Sequence, residues 1–220
     1  MHSFFQPATP STKQTRELTL GEFSMPVPLC KLPDGSGYFL YFKLNDYPDL
    51  IEEAARLIAE HIASLNLKNP YFVTPEASTL ALAHVLRQKY HINGATIYKT
   101  RQLTDVGPVS INYDTVTSLN KKMLYLGKER ADEMRDKDIF ILDSVCTSGG
   151  TIKGTYQLLL KAGIAPQKIV EATMLFTEGC ERTAINVADD ISIKVHSFGH
   201  LPVIAAPAIA NGDNVFSMIA

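Results

Sequence analysis

The segment Asp138-Ile139-Phe140-Ile141-Leu142-Asp143-Ser144-Val145-Cys146-Thr147-Ser148-Gly149-Gly150-Thr151 joins an apolar run, an acid and a turn of small hydroxyl residues. That order suits a phosphorylated ligand. The turn offers several backbone N–H groups, and a helix beginning just after it adds the partial positive charge of its N-terminus. Gly149 and Gly150 let the main chain approach an anion, while Thr147, Ser148 and Thr151 carry hydroxyls that donate to phosphate oxygens. Asp143, at the strand end, stands where the rest of the ligand would lie beyond the phosphate. No Gly-Lys-Ser/Thr follows, so this is not a Walker loop, and G-x-G-x-x-G is absent.

Two further clusters flank short strands. Val73-Thr74-Pro75-Glu76-Ala77-Ser78 ends one of them, and reads either as an anion-facing loop or as a helix N-terminus with Pro75 and Glu76 well placed. Lys99 and Arg101 close the next strand, either as anion-binding cations or as a solvated basic turn. His196 and His200 stand four apart, a metal spacing on a helix, but Gly199 and Pro202 argue against a helix there. His61, His84 and His91 read as surface residues, and Cys146 as a small filler whose position at a helix start would lower a thiol pKa.

The elements that position these residues follow from periodicity. Residues 48–65 form an amphipathic helix, with Leu50, Ile51, Ala54, Leu57, Ile58, Ile62 and Leu65 on one stripe and Pro48 at its start. Strands are predicted at 71–74, 95–98, 138–143 and 169–176, and helices near Ser78 and after Thr151. This alternation points to an α/β domain with a mainly parallel, twisted sheet flanked by helices. Tyr38–Phe42 and the stretch from Leu18 read as a small hairpin unit, and 103–126 lacks a clear period, with short strands at 111–113 and 123–126. The expected organisation is a loose N-terminal arm over 1–17 and one domain over 18–220.

Composition narrows the class. Of 220 residues, 45% are hydrophobic, enough for a chain near this size to bury about 70% of its unfolded surface. The net charge of −2 gives no bulk attraction to nucleic acid or an acidic membrane. Cys30, Cys146 and Cys180 form no C-x-x-C pair, so neither a disulfide framework nor a structural zinc site is expected. No apolar run approaches the ~18 residues of a membrane span, and Met1–Pro7 lacks a secretory pattern. The expectation is a cytoplasmic globular protein.

Ile139–Thr151 resembles the phosphoribosyl pyrophosphate motif of type I phosphoribosyltransferases: four apolar residues, two acids, then a small-residue T-G-G-T loop. Ser144 stands where the family has its second acid. The resemblance implies that Asp143 and Ser144 meet the ribose and that Cys146, Thr147, Ser148, Gly149, Gly150 and Thr151 hold the 5′-phosphate. It extends over roughly residues 45–180. Glu76-Ala77-Ser78 is similar to the family's pyrophosphate loop, with Thr79 in place of the usual Gly, and there the family often has a non-proline cis peptide, here between Glu76 and Ala77. Lys99 and Arg101 would neutralise pyrophosphate. The polar stretch Thr115–Lys122 matches the tip of the long flexible loop, with Lys121 and Lys122 as its cations.

The same resemblance implies a small hood over the base, formed by 18–44 and 197–220 around a core of 45–196. It implies Mg²⁺ bound through the substrate rather than through protein ligands, and a homodimer. Asp143, Arg101 and Lys99 become the expected catalytic residues, and Glu178 the base-contacting one. Purine enzymes acting on 6-oxopurines tend to carry a lysine near this strand end; here the neighbours are Thr177, Gly179 and Cys180. The expected reaction therefore joins a purine, adenine first and xanthine second, to the phosphoribosyl group. The competing expectation is a non-catalytic regulator that senses phosphoribosyl pyrophosphate; the missing second acid favours it, and the lack of a helix-turn-helix segment disfavours it.

Overall fold

The computed structural model describes residues 14–32, 35–113 and 122–205. Residues 1–13, 33–34, 114–121 and 206–220 lie outside the described residues, and with them Lys121 and all of the expected loop tip except Lys122. The strands are β1 (Thr15–Leu20), β2 (Phe23–Lys31), β3 (Gly37–Leu40), β4 (Pro70–Pro75), β5 (Asn93–Ile97), β6 (Val109–Tyr113), β7 (Lys122–Leu126), β8 (Asp138–Cys146), β9 (Ile169–Glu178), β10 (Ala184–Ala188), β11 (Ile191–Leu201) and β12 (Ile204–Ala205). The helices are α1 (Pro48–Ser64), α2 (Leu80–Tyr90), α3 (Lys128–Glu133) and α4 (Gly150–Lys161).

Six strands form the central sheet in the order β10-β11-β9-β8-β4-β5, parallel throughout except for antiparallel β10 at one edge. Strands buried on both faces must be apolar almost continuously. Ile139–Leu142 meets that demand with 0% exposure at all four residues. One face carries Ile139, Ile141 and Met174 against Ile152 and Tyr156 of α4. The other carries Phe72, Phe140 and Leu142 against Leu50, Ala54 and Ile58 of α1 and Leu82 and Leu86 of α2.

From β4 the chain runs through α2 to β5 on one side. From β8 it runs through α4 to β9 on the other. The connections diverge at the carboxyl ends of two adjacent strands, the switch point where open parallel sheets accept ligands. Both loops singled out in the sequence lie there.

Two smaller sheets frame this point. β1, β2, β3 and β12 form an antiparallel four-stranded sheet, and β6 pairs with β7 as a ribbon. The ribbon lies on α4 because Gly154 has no side chain; a Cβ there would sit 2.7 Å from Tyr113 Cβ. Thr15–Glu17, read as arm, begin β1 because they pair with Pro26–Pro28. Ser197–Leu201, read with the hood, extend β11 in the central sheet beside Met174–Glu178; of the described residues beyond them, the short β12 joins the four-stranded sheet.

Candidate active site

Asp143 sits on β8 three residues before its end, half-buried, in the wall of a cavity of about 170 Å³. The phosphate-loop residues Cys146, Thr147, Ser148, Gly149, Gly150 and Thr151 line the same cavity, as do Lys99, Tyr113 and Lys122. Burial pushes the Asp143 carboxyl up to about 6, opposed by the Ser144 N–H, which donates to Oδ1 at 2.8 Å, and by the charge of Lys99. Burial and the Asp143 charge together raise Tyr113. Cys146 goes the same way: burial pushes its thiol up to about 11, outweighing the opposing pull of the Arg182 charge and of the Gly149 N–H beside the helix start, so the lowering expected from the sequence is not found.

The loop's glycine requirement falls on Gly149. It adopts φ +82°, and a Cβ there would meet Ile185 Cδ1 of β10 at 2.9 Å. With the chain turned by Gly149, α4 begins at Gly150 and directs its first-turn N–H groups, which lack intrahelical acceptors, to the cavity end. Thr147 is held from two sides. Its hydroxyl donates to Glu178 Oε2 at 2.8 Å, and its carbonyl oxygen accepts from Arg182 Nε at 3.0 Å. Glu178 is thus engaged with the phosphate loop.

The Glu76–Ala77 peptide is cis. Glu76 Oε1 accepts the Lys99 N–H at 2.8 Å, tying this loop to the end of β5, and Asn45 Nδ2 donates to the Ala77 carbonyl oxygen at 3.1 Å. Thr79, in the position of a family glycine, is fully buried, and its hydroxyl donates to Thr74 Oγ1. Thr74 Oγ1 donates in turn to the Leu142 carbonyl oxygen at 2.8 Å, so a hydroxyl pair binds the loop's base to β8. Ser144 is buried and turns to Ser78 instead of lining the cavity. Arg101 is exposed beyond Lys99.

A second cavity, about 160 Å³, lies between the hood and the ends of β9 and β11, walled by Leu18, Leu40, Phe176, Leu201 and Ile204. Val145, which lines the first cavity, and Phe176, which lines the second, are register partners on β8 and β9. A larger open groove of about 920 Å³ along the outer edge of β5 mixes Arg87, Lys128 and Arg130 with Asp105, Asp132 and Glu133 and contains none of the phosphate-loop residues. Sequence reasoning missed Asn45, Tyr113, Arg182 and Ile185, which reach the site through tertiary contacts and carry no local motif.

Comparison with known proteins agrees with this geometry. A family model described as phosphoribosyl transferase domain matches residues 42–200. Among solved structures, adenine phosphoribosyltransferase from Thermoanaerobacter pseudethanolicus superposes with a TM-score of 0.61 at 14% identity, covering 79% of this chain and 95% of that one. The Giardia lamblia enzyme complexed with 9-deazaadenine gives 0.57 at 12% identity, over 84% and 93%. The Saccharomyces cerevisiae enzyme, complexed with adenine and an imino-altritol bisphosphate, gives 0.55 at 10% identity over the same shares. A search of curated proteins finds no match.

Proposed function

The chain belongs to the phosphoribosyl transferase domain family, and from that membership we propose that it is a purine phosphoribosyltransferase of base salvage, with adenine its first acceptor and xanthine its second. The base nitrogen attacks C1′ of phosphoribosyl pyrophosphate, the C1′–oxygen bond to pyrophosphate breaks, and the nitrogen's proton leaves to solvent. The observation that carries this reading is one cavity at the sheet's switch point that joins a half-buried carboxylate, Asp143, a cation, Lys99, and the phosphate loop at the start of α4.

The 5′-phosphate lies on Cys146–Thr151, where backbone N–H groups and the hydroxyls of Thr147, Ser148 and Thr151 receive it. Asp143 accepts from a ribose hydroxyl and opposes the positive charge that develops on the sugar. Lys99, Arg101 and the Glu76–Ser78 loop receive the pyrophosphate, with Lys122, which lines the same cavity, beside them. Among the described residues that line this cavity Asp143 is the one carboxylate, which fits a divalent cation that takes most of its oxygens from the substrate. When bound, Mg²⁺ would make the leaving pyrophosphate less basic. A homodimer and a cytoplasmic setting belong to the same reading; among the described residues, no helix is long and apolar enough to cross a membrane.

Ser144 gives a specific reason for the second reading, a non-catalytic sensor, because it leaves one acid where the family has two. Pyrophosphate release, measured with phosphoribosyl pyrophosphate, Mg²⁺ and a panel of adenine, xanthine, hypoxanthine, guanine, orotate and uracil, separates the two. Turnover greatest with adenine supports the transferase; tight binding of phosphoribosyl pyrophosphate with no release for any base supports the sensor.

A further inference from the structure

The hood-side cavity holds one polar group whose hydrogen-bonding sense is fixed by its neighbour. His200 lines it, on β11, and its Nδ1 lies 3.0 Å from Thr177 Oγ1. Thr177 is 2% exposed, and among the described residues Nδ1 is the hydrogen-bond partner of its hydroxyl. A buried hydroxyl left without an acceptor costs about 1–3 kcal/mol, so Thr177 donates to Nδ1. Nδ1 then has no proton, and the neutral ring carries its hydrogen on Nε2. Arg16, Glu17 and Thr19 of β1 line the same cavity beside its apolar wall, and His200 adds its Nε2–H from β11.

Position decides what that donor meets. The ribose site is at β8, Phe176 is on β9, and His200 is on β11, two strand spacings away or roughly 9–10 Å. A purine joined to C1′ through N9 and laid from Val145 over the ends of β8 and β9 extends its far edge, the N1 and C6 side, toward the end of β11, where His200 is the register partner of Thr177. We propose that His200 is the specificity-determining residue of this chain, donating from Nε2 to the unprotonated N1 of adenine, and that Thr177 is a positioning residue that holds its tautomer. In 6-oxopurines N1 carries a proton and would meet this donor with another donor. The inference rests on the proposed phosphoribosyl transfer and gives adenine selectivity a physical source, beyond the absence of a nearby lysine.

Titration calorimetry on the full chain with ribose 5-phosphate, adenosine monophosphate and inosine monophosphate tests it, since the sugar phosphate reads the first cavity and the base increment reads the second. In the wild type, adenosine monophosphate should bind at least about tenfold tighter than ribose 5-phosphate, and inosine monophosphate should lack most of that gain. His200→Ala should cut the adenine increment about three- to tenfold, the value of one hydrogen bond, with ribose 5-phosphate affinity unchanged. His200→Gln, which keeps an N–H donor, should recover part of it, and His200→Glu, an acceptor, should not. Thr177→Val frees the tautomer and should narrow the gap between the two nucleotides. Equal losses in the three His200 variants, or a wild type that favours inosine monophosphate, overturns the proposal while leaving the transferase reading intact. Failure of ribose 5-phosphate to bind the wild type overturns the transferase reading and this inference with it.

Discussion

Ser144 Oγ donates a 3.1 Å hydrogen bond to Ser78 Oγ, joining the loop after β4 to β8 at the switch point. The residue in the second-acid position thus braces the loop proposed for pyrophosphate, while Asp143 alone faces the cavity. Ser144→Ala should raise KM for phosphoribosyl pyrophosphate about three- to tenfold with kcat nearly unchanged, as expected for one lost hydrogen bond. Ser144→Asp should weaken substrate further, because it sets a second negative charge beside the pyrophosphate. Asp143→Asn should lower kcat by roughly two orders of magnitude or more, since the lost charge acts mainly in the transition state. Steady-state kinetics on the three variants checks this ordering, and equal effects of Asp143→Asn and Ser144→Ala on kcat would contradict it.

The raised pKa of Asp143 sets stability against activity. Its carboxyl titrates at about 6 in the fold against an ordinary 3.8. Below about pH 4 the group is protonated in both states. Between 4 and 6 the unfolded chain gives up its proton first, so this contribution to stability is lost as pH rises through 6. Asp143→Asn should therefore be more stable than wild type at pH 8, by at most about 3 kcal/mol, and should show no such gain at pH 4. Turnover in the wild type should run the other way, rising through pH 6 as the carboxylate forms. Denaturant midpoints at the two pH values, with a pH–rate profile, read both halves.

Gly149 and Gly150 should respond differently to a methyl group. At Gly149 an alanine must hold φ +82° and push Ile185 back from 2.9 Å; the left-handed backbone alone costs about 1–2 kcal/mol. Gly150 starts the helix and carries no such constraint. Gly149→Ala should lower stability by about 1–3 kcal/mol and weaken ribose 5-phosphate binding, and Gly150→Ala should change stability by less than about 0.5 kcal/mol. Adding Ile185→Ala to Gly149→Ala removes the contact but not the backbone cost, so the double variant should not regain ribose 5-phosphate affinity.

The parts legible in the sequence are those whose chemistry is local. The β8 run, the hydroxyl-glycine turn and the start of α4 are contiguous, so one window contains strand, anion site and helix. The stripe of α1 is seventeen residues long and carries its own start signal at Pro48. By contrast α3 spans six residues, too few for a period to emerge. β11 alternates only as far as Val195, then passes through half-buried His196, Ser197, Phe198 and Gly199 at the meeting of core and hood, which hides the strand. His196 and His200, four apart, go to different partners: His196 stacks on His61 with centroids 3.6 Å apart, and His200 turns to Thr177. Residue identity carries no trace of such pairings, because they are set by which elements the sheet order brings together.

Thr147 and Glu178 give the last expectation. A threonine hydroxyl has one proton, and here it goes to the Glu178 carboxylate at 2.8 Å. A 5′-phosphate arriving at the loop needs that proton, and its own charge is repelled by the carboxylate nearby. Glu178 would then act as a competitor for Thr147, whereas a base-contacting Glu178, as the family resemblance implies, would act on selectivity. The two roles have opposite signatures. Glu178→Ala frees the Thr147 hydroxyl and removes a negative charge, so ribose 5-phosphate should bind about two- to fivefold tighter, in keeping with a partly exposed interaction of roughly 0.5–1 kcal/mol, and the gap between adenosine and inosine monophosphates should stay constant. The gain should shrink as salt is raised, because charges near the surface are screened. Calorimetric titration at two ionic strengths measures all three quantities. An unchanged sugar-phosphate affinity together with a collapsed gap between the nucleotides would return Glu178 to the base.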